Sequence, residues 1–371
     1  MKQGWEIKKL GEVCNINYGT RVVQKKDGGT IYPVYGGGGA TFKMDRYNRE
    51  DCLIVSRFAM SNQCVRYVSG KFFLNDSGLT IESNESGLSQ SFLDKHITAL
   101  NDTIYSLGKG VAQKNLDIKE LRLLDIKYPK SREEQERIVE ELDCLSGVIE
   151  KKREQLRELD ALAQSIFYQM FGSVDGNHNN FEVKSLSEVF SIIKDGTHQT
   201  PQYTDDKENG IKFLSAKDVV SGTINWDNIK YIPKGLHLEL HKRVAPQRND
   251  ILLCKNGTYG ICALNETDEV FDIYVSLALL RPNNICIPKY LVSAINNKCT
   301  KLQFDKSIKG IGVPNLHLSE IKRTNIIVPP LTLQQEFAEK IEAIEKQKEL
   351  IKQSITQTEE LFNARMNYYF N

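Results

Sequence analysis

A set of motifs occurs twice in this 371-residue chain, and this repeat limits the folds that the chain can adopt. The matching segments are WEIKKLGEV (5–13) with FEVKSLSEV (181–189), NYGT (17–20) with KDGT (194–197), KGVAQKNLDIKEL (109–121) with KGIGVPNLHLSEI (309–321), and EQE (134–136) with QQE (334–336). The offset between the copies grows from 176 to 200 residues. The second copy therefore carries insertions, which surface loops accommodate most easily. The chain consists of two copies of one module.

Each copy ends in a long amphipathic pattern. Its apolar residues are spaced alternately four and three apart, which is the heptad spacing of coiled coils. They are Ile138, Leu142, Leu145, Ile149, Leu156, Leu159, Ala163, Ile166 and Met170 in the first helix, and Phe337, Ile341, Ile344, Ile351, Ile355, Phe362 and Tyr369 in the second. Lys152, Lys348, Thr358 and Arg365 interrupt the series. A helix of about 40 residues is about 60 Å long. It would project beyond a domain of about 130 residues and needs another partner.

Connectivity sets the direction in which the helices pair. The first helix leads into the second module through FGSVDGNHNN (171–180), which is rich in turn-forming residues. Parallel pairing would require the second helix to begin about 60 Å from the module before it. The segment VPPLT (328–332) is too short to span that distance. We therefore predict an antiparallel coiled coil with one globular module at each end.

Charge alternates along the chain. Residues 1–130 hold 19 Lys and Arg against 14 Asp and Glu, and residues 172–330 hold 19 against 17. The helical segments are acidic, with 6 against 10 in residues 131–171 and 5 against 7 in residues 331–371. A polyanion would therefore bind the globular modules and not the helices.

Composition and the first residues exclude several classes of protein. Hydrophobic residues make up 40% and charged residues 26% of the chain, as in ordinary folded proteins. The start MKQGWEIKKL has no apolar signal region, and no apolar run reaches the roughly 18 residues of a membrane span. We predict a cytoplasmic protein. The eight cysteines form no CxxC pair and fit reduced core residues.

No motif for catalysis or metal binding is found. The only adjacent prolines, Pro329 and Pro330, follow Val328 and so do not form the Asn/Asp-Pro-Pro-aromatic loop of an amino-methyltransferase. GGGG (36–39) is not part of a GxxxxGK[ST] loop, and the ExK triplets at 6–8 and 182–184 lack an upstream metal-binding Asp. His237 and His241 are four residues apart but have no HExxH order and no evident third ligand. We predict surface side chains there, no metal site and no catalytic residue.

Both modules are predicted to be α+β. Runs rich in β-branched residues, bounded by turn formers, predict strands. They are CLIVSR (52–57), CVRYV (64–68), TIYSL (103–107), LLDIKY (123–128), IKFLSA (211–216), ILLCK (251–255), GICAL (260–264) and NIIVP (325–329). Helices are predicted over 89–100 and 288–299.

The loops between these strands have the chemistry of DNA contact. Glycine allows a backbone to approach a phosphate, Lys and Arg neutralise it, and amide and hydroxyl groups bond base edges. The loops are 19–39, 195–206 and the two strand ends 56–63 and 254–260. The predicted DNA-binding residues are Arg21, Lys25, Lys26, Lys43, Arg57, Asn62, Gln63, Lys109, Lys114, Thr197, His198, Gln199, Thr200, Lys217, Lys255, Asn256, Thr258, Tyr259 and Lys309. Any one of them, taken alone, also fits a solvated loop.

The chain resembles the specificity (S) subunit of a type I restriction-modification system over nearly its whole length. The resemblance rests on the tandem arrangement and on three segments. These are GVPNLHLSEIKRTNIIVPPLTLQQEFAEKIEAIEKQ (312–347), SIFYQMFGS (165–173) and DGTHQTP (195–201). The first copy departs from the pattern, with YPKSREEQE (128–136) in place of VPPLTLQQE (328–336).

This resemblance implies two target-recognition domains that read the halves of a split DNA site, and helices that dock methyltransferase (M) subunits, probably two. Restriction (R) subunits would join through the M subunits. S-adenosylmethionine, ATP and Mg would be bound by those partners and not by this chain. The implied segments are residues 1–130 and 181–330 for the domains, 131–171 and 331–371 for the helices, and 172–180 for the linker. No base-reading residue can be carried over, because recognition domains vary within the family.

Two other functions remain open from the residues. One is a tethering protein, whose coiled coil separates two protein-binding heads. The other is a fusion with an unrecognised nuclease. If the chain reads DNA, the helices act as a ruler, since about 60 Å corresponds to roughly 18 base pairs of straight DNA.

Overall fold

A computed structural model describes residues 4–111, 113–177, 179–220, 222–308 and 314–371. Contacts divide the chain into two units. The first is Met1–Arg153 with Lys352–Asn371, and the second is Glu154–Ile351. Both long helices therefore change unit partway along, whereas the predicted segments follow the chain order. The difference arises because each unit contains the beginning of one long helix and the end of the other.

The first unit begins with strands and short helices and continues into a long helix. Its strands are β1 (Trp5–Lys9), β2 (Cys14–Tyr18), β3 (Tyr32–Tyr35), β4 (Lys43–Met44), β5 (Arg49–Ser56), β6 (Val65–Leu74), β7 (Gly78–Ser83), β8 (Gly108–Lys109), β9 (Asn115–Leu116) and β10 (Asp125–Pro129). Its helices are α1 (Leu10–Val13), α2 (Gln24–Asp27), α3 (Gln90–Ala99), α4 (Asn101–Ser106), α5 (Ile118–Arg122) and the beginning of α6 (Arg132–Phe171). One sheet has the order β2-β7-β5-β6-β3-β4, while β1 pairs with β10 and β8 with β9.

The second unit repeats this plan with other strands. These are β11 (Glu182–Ser185), β12 (Phe190–Asp195), β13 (Ile211–Leu214), β14 (Val219–Val220), β15 (Thr223–Ile224), β16 (Lys230–Ile232), β17 (Ile251–Cys254), β18 (Cys262–Leu264), β19 (Phe271–Ile273), β20 (Leu277–Pro282) and β21 (Asn325–Val328). The helices are α7 (Leu186–Val189), α8 (Lys234–Arg243), α9 (Pro288–Asn296), α10 (Lys298–Ser307), α11 (Leu318–Arg323) and the beginning of α12 (Leu331–Phe370). The sheet orders are β12-β20-β17-β18 and β16-β13-β19, with pairs β14-β15 and β11-β21.

The repeated motifs occupy equivalent places in the two units. The opening strands β1 and β11 each pair antiparallel with the strand that leads into a long helix, β10 and β21. The mixed helix and strand composition predicted for both modules is confirmed. Residues 103–107 were expected to form a strand, and this is wrong, because α4 covers Asn101–Ser106. Only Ile104 is fully buried there, and its N–H donates to the Leu100 carbonyl at 2.8 Å in a helical bond. The β propensity of this short segment is therefore overridden by its surroundings in the fold.

The predicted heptad positions of α6 and α12 are buried or half-buried along both helices. In the first unit, Ile138 and Leu142 near the beginning of α6 share a core with Met366 and Phe370 near the end of α12. In the second unit, the Phe337 ring lies 5.5 Å from Phe167 and 5.3 Å from Phe171. In each unit, therefore, the beginning of one helix packs against the end of the other.

Polar residues within the heptad series are paired. In the second unit, Lys348 Nζ lies 2.7 Å from the Asp160 carboxylate, and only 13% of the Lys348 side chain is exposed. In the first unit, Arg365 donates to Glu141 Oε2 at 2.9 Å. These interruptions of the apolar stripe are thus compensated by partners on the facing helix.

A buried glutamine anchors the beginning of each long helix. The residues are Gln135 and Gln334, both fully buried. In each, Nε2 donates at 2.8 Å to the carbonyl of the proline before the helix, and Oε1 accepts at 2.8 Å from the backbone N–H just before α3 or α9. Gln334 and not Gln335 therefore corresponds to Gln135. The alignment of EQE (134–136) with QQE (334–336) was therefore wrong by one residue. The first copy has one residue more between Pro129 and Gln135 than the second copy has between Pro329 and Gln334.

Burial of the cysteines agrees with their predicted place in the core. Cys14, Cys64, Cys254, Cys262 and Cys286 are buried, and only Cys144 is exposed. Burial raises the pKa of the Cys14 thiol to about 12. Within the described part of the chain, no helix is both long and apolar enough to cross a membrane.

Candidate nucleic-acid interface

The basic residue that follows the central strand is held in the same way in both units. After β5, the Arg57 N–H donates to the Ser77 carbonyl, and the Arg57 carbonyl accepts from Leu116 N–H, each at 2.8 Å. After β17, Lys255 makes the matching bonds at 2.8 and 2.9 Å, with the β19–β20 connection and the segment before α11. Arg57 and Lys255 are therefore equivalent positions of the repeat.

A glycine turn lies beside each of these residues. The Gly19 N–H donates to the Gly78 carbonyl at 3.0 Å, and the Gly196 N–H donates to the Leu277 carbonyl at 3.3 Å. A Cβ at Gly19 or Gly196 would lie 1.9 or 2.0 Å from a backbone oxygen, so only glycine fits at either position. The residue before the glycine is Tyr18 in the first unit and Asp195 in the second. The two units thus share the same backbone arrangement at this turn but carry different side chains there.

In the first unit, Arg57 is held by aromatic rings. Its guanidinium lies 4.9 Å from the centroid of Tyr18 and 4.4 Å from that of Phe58. Tyr18 is 45% exposed. Among the described residues, Arg57 forms no ion pair with a carboxylate. Its charge is therefore oriented by stacking and not neutralised.

The GGGG segment packs against the same strand end. The Gly37 carbonyl accepts from Ser56 Oγ at 2.8 Å and from Arg66 at 3.1 Å. A Cβ at Gly37 would lie 2.2 Å from a backbone oxygen, whereas Gly38 and Gly39 are exposed and have open space at that position. Gly38 and Gly39 therefore lie at the surface, where the Gly38 carbonyl accepts from Arg66.

A lysine patch lies around α2. Arg21, Lys25, Lys26 and Lys43 are all exposed. The Gly29 N–H donates to the Lys43 carbonyl at 2.6 Å, which brings β4 next to the end of α2. None of these four side chains forms an ion pair with a described residue, so their charges are available to a polyanion.

The other predicted residues of the first unit differ in availability. The Lys114 carbonyl accepts from Met60 N–H at 3.0 Å, which places Lys114 beside the loop that follows Arg57. Its ammonium lies 4.0 Å from the Tyr105 ring centroid. Asn62 and Gln63 are exposed. Lys109 is instead paired with Asp117 at 2.6 Å, so its charge is already neutralised.

In the second unit, Asp195 collects three basic groups. Its carboxylate lies 2.8 Å from Lys255 Nζ, 2.8 Å from Arg243 and 3.2 Å from His198 Nε2. Burial by itself would raise the pKa of Asp195, but hydrogen bonds from Lys255 and Arg243 outweigh burial and lower it. Asp195 is therefore ionised and compensates the buried ammonium of Lys255.

This burial argues against the direct DNA contact predicted for Lys255. Only 7% of its side chain is exposed, and removing its partner would leave an uncompensated charge in the interior. The burial and the Asp195 pair fit a residue that supports the DGTH loop (residues 195–201) from below, while the DNA contact of Lys255 stays an untested prediction. The exposed cation of the network is Arg243, whose side chain is 53% exposed.

The predicted base-contacting residues of the DGTH loop lie at the surface beside Arg243. His198, Gln199 and Thr200 are exposed, and Thr197 is half-buried. The Thr197 N–H donates to the Ile273 carbonyl at 3.1 Å. A strand edge thus holds the base of the loop, and its donors and acceptors point away from the core.

The remaining predicted residues of the second unit differ in exposure and in partners. Lys217 and Thr258 are exposed, and Asn256 is half-buried. The Tyr259 hydroxyl donates to Asp305 at 2.8 Å. The ammonium of Lys301 lies 3.3 Å from the Tyr259 ring centroid. The contact predicted for Lys309 lies outside the described residues.

His237 and His241, which were predicted to be surface side chains, are partly buried, with 14% and 34% of their side chains exposed. Their Nδ1 atoms lie 2.7 and 3.4 Å from the two carboxylate oxygens of Asp272. Asp272 is buried on β19. The third candidate ligand was missed because it lies more than 30 residues away in sequence.

Each unit thus has a surface with exposed cations, amide and hydroxyl groups next to glycine turns. Such a surface can bind phosphates and donate to base edges. Sequence reasoning missed Tyr18 and Arg243. The link between NYGT and KDGT was a signal for Tyr18, while no local signal joins Arg243 to Asp195. These features define a duplicated nucleic-acid-recognition protein with two long helices.

The family of type I restriction modification DNA specificity domains matches residues 2–160 and 178–360. The chain therefore belongs to this family and is a type I restriction-modification specificity subunit. It is 21% identical over 337 residues to the specificity subunit of the type I restriction enzyme MjaVIII of Methanocaldococcus jannaschii, covering 86% of this chain and 78% of that one. It is 22% identical over 160 residues to the EcoBI specificity subunit of Escherichia coli, covering 43% of this chain and 34% of that one.

Solved structures show the same fold. The S subunit of a type I restriction-modification system from M. genitalium matches with a TM-score of 0.59 and 16% identity, covering 99% of this chain and 96% of that one. A structure from work on assembly and conformational transition of the type I R-M system matches with a TM-score of 0.56 and 16% identity, covering 100% and 98%.

Proposed function

We propose that this chain selects the DNA target of a type I restriction-modification complex, and that each module reads one half of a bipartite site. The observation that carries the proposal is the pair of equivalent strand ends at Arg57 and Lys255. Equivalent backbone hydrogen bonds hold the two residues, yet the first stacks on Tyr18 and the second pairs with Asp195. One scaffold with two sets of surface groups is suited to reading two different half-sites.

Within this proposal, the long helices pair as an antiparallel coiled coil and set the distance between the half-sites. Packing of Phe337 on Phe167 in one unit, and of Met366 and Phe370 with Leu142 in the other, supports this pairing. Each helix has 40 residues, about 60 Å, or roughly 18 base pairs of straight DNA.

The helices also dock the methyltransferase subunits, of which we propose two, and restriction subunits join through these. The relatives that match are named specificity subunits of type I restriction enzymes, which supports the same role here. Catalysis, S-adenosylmethionine, ATP and Mg belong to the partners in this proposal.

The tethering alternative has no specific support. Lys25, Lys26 and Lys43 are exposed and have no carboxylate partner in the described part of the chain, and such cations suit a polyanion better than a protein partner.

The test is selection of duplexes from a random library by the complex with its methyltransferase subunits, followed by fluorescence anisotropy on the selected site. We expect two short specified blocks separated by an unspecified spacer, and a loss of about 1–3 kcal/mol for each substituted base pair in either block. Methylation that requires the added M subunit would separate this reading from a nuclease or methyltransferase fusion. A single specified block, or binding independent of sequence, would contradict the proposal.

Replacing residues 181–330 with the matching domain of another specificity subunit gives a second, independent test. One block of the selected site should change while the other stays the same. The reciprocal replacement of residues 1–130 is the matched control and should change only the other block. A change in both blocks after either replacement would contradict one-module-per-half reading.

A further inference from the structure

Four Asp side chains of the second unit are buried, and one differs from the rest in its partners. Asp195 faces Lys255 and Arg243. Asp250 is paired with Arg281 at 2.7 Å. Asp218 accepts from the Ser215 N–H at 2.8 Å and from its hydroxyl at 3.0 Å. Asp195 and Asp250 are thus paired with Lys or Arg, and Asp218 accepts hydrogen bonds from the backbone and side chain of Ser215.

Asp272 has only imidazoles. Its side chain is 2% exposed, and its carboxylate oxygens lie 2.7 Å from His237 Nδ1 and 3.4 Å from His241 Nδ1. No Lys or Arg among the described residues lies within ion-pair distance of it. An imidazole without an added proton donates a hydrogen bond but no charge, so the buried carboxylate is balanced only by a protonated histidine or by a bound cation.

The three side chains are arranged as a ligand set. His237 and His241 stand one turn apart on α8, and Asp272 projects from β19. One ligand atom of each lies within 4.8 Å of the other two. The His237 and His241 side chains are 14% and 34% exposed, so a hydrated ion could reach the site from solvent.

The helix that carries the histidines needs a tether. None of the α8 residues is fully buried, and Leu238 is 64% exposed. Apolar packing therefore stabilises α8 only weakly. The position of this helix nevertheless matters, because its last residue, Arg243, pairs with Asp195 beside the DGTH loop.

We propose that His237, His241 and Asp272 form a binding site for a divalent transition-metal ion of the Zn²⁺ class, which fastens α8 to β19. Two imidazoles and one carboxylate are a ligand set that suits Zn²⁺, and a water molecule completes the tetrahedron. Ligand atoms of such a tetrahedron lie about 3.3 Å apart. The His241–Asp272 distance of 3.4 Å already fits this spacing, and the His237–Asp272 distance of 2.7 Å would have to increase by about 0.6 Å.

The ligand atoms also favour Zn²⁺ over Mg²⁺ or Ca²⁺. Those ions prefer sites built of oxygen ligands, and this site offers one carboxylate only. Arg243 lies at the end of the same helix, but its charge is opposed by Asp195 at 2.8 Å. The ion would neutralise Asp272 and fix α8 on β19, and so it would also fix the position of Arg243 relative to the DGTH loop.

The experiment uses the untagged, full-length chain after chelation and dialysis. Zn²⁺ binding is measured by isothermal titration calorimetry, and Co²⁺ binding by its visible absorption. We expect one ion per chain and tetrahedral Co²⁺ bands. His237→Asn and His241→Asn retain a hydrogen-bonding group facing Asp272 but remove a ligand, and each should weaken Zn²⁺ binding by at least about 10–100-fold. His317→Asn, at an exposed histidine before α11, is the matched control and should bind as the parent does.

Histidine-selective NMR of the unaltered chain provides a readout that needs no variant. Zn²⁺ should shift the ring nitrogens of two of the six histidines. The absence of saturable one-to-one binding would overturn the proposal. Equal binding by the parent and both Asn variants, or NMR shifts of other histidines only, would also overturn it.

Discussion

Lys152 Nζ donates to Thr358 Oγ1 at 3.2 Å across the two long helices of the first unit. Both residues interrupt the apolar heptad series, and both are half-buried. Lys152 also donates to the Ser354 hydroxyl. The two interruptions therefore match each other. A polar pair in an apolar seam lowers stability but specifies the register, because a shift along the helices would take the Lys152 ammonium away from the Ser354 and Thr358 hydroxyls.

The double variant Lys152→Leu with Thr358→Leu should be at least as stable as the parent, while each single variant should lose about 1 kcal/mol in urea unfolding. The reason is that each single change leaves a polar group facing leucine. The matched control is Arg153→Ala, because Arg153 pairs with Glu359 at 2.7 Å on the exposed side of the same helices. This control should change stability by less than about 1 kcal/mol. Additive effects of Lys152→Leu and Thr358→Leu would refute the coupling.

Removing one partner of the buried Lys255–Asp195 pair should destabilise the second unit strongly. Lys255→Met leaves the Asp195 carboxylate with only the more exposed Arg243 and His198 as counter-charges, and we expect a loss of about 3 kcal/mol in the free energy of unfolding. The double variant Lys255→Met with Asp195→Asn should recover most of the loss. Arg57→Met changes the equivalent residue of the first unit and should cost only about 1 kcal/mol, because Arg57 is stacked and not paired. Equal losses for Lys255→Met and Arg57→Met would contradict the different roles assigned to them.

Acid should destabilise the first unit through His96. Its ring lies 5.0 Å from the Phe370 ring at the end of α12, and neither ring nitrogen has a hydrogen-bond partner among the residues that the structure describes. Burial, with a smaller contribution from the charge of Lys127, lowers the pKa of His96 to about 4. The unfolded chain takes up the proton near pH 6.5. The stability contributed by neutral His96 is thus complete above pH 6.5 and is lost as the pH falls toward 4.

The measurement is urea unfolding of His96→Leu and the parent between pH 7 and 4. The parent should lose up to about 3 kcal/mol relative to the variant over this range. Burial also raises the pKa of Asp94 to about 6, which acts in the opposite direction, but Asp94 is present in both proteins and cancels in the difference. A difference that does not change with pH would rule out His96 as the acid-sensitive group.

Lys25 and Lys26 should contribute phosphate contacts. If the α2 patch contacts the backbone, changing both to Ala should weaken binding to all duplexes and reduce the slope of log K against log salt by about 1.8. Lys346→Ala with Lys352→Ala removes the same charge from exposed positions of α12 and should leave the slope unchanged. The check is fluorescence anisotropy over a series of salt concentrations. Identical slopes for the parent and the α2 variant would remove this patch from the interface.

Shortening both helices should shorten the spacer of the DNA target. Deleting residues 146–152 and 356–362 removes one heptad from each helix and keeps the apolar seam in register. Seven residues are about 10 Å, or about three base pairs. Duplexes of varied spacer length should show an optimum reduced by about two to four base pairs, with weaker affinity because the DNA also rotates between the half-sites. An unmoved optimum in a folded double deletion would show that the helices do not set the distance.

Sequence alone determined the features that depend on local periodicity. The repeated motifs showed two modules of mixed helix and strand, and the spacing of Ile138, Leu142 and their successors located the long helices. It also showed that Gly19 and Gly196 are related, because their neighbours repeat. These patterns are readable because a heptad or a turn is specified by residues close together in the chain.

Only the tertiary structure decided which charged groups are available. Lys255 and Lys25 both belonged to the predicted DNA contacts, yet Lys255 is buried against Asp195, 60 residues away, while Lys25 is exposed. Asp272 meets His237 across 35 residues because α8 packs on β19. Local composition cannot specify such partners, because the energy of a charge depends on burial and on the groups that strand order brings beside it.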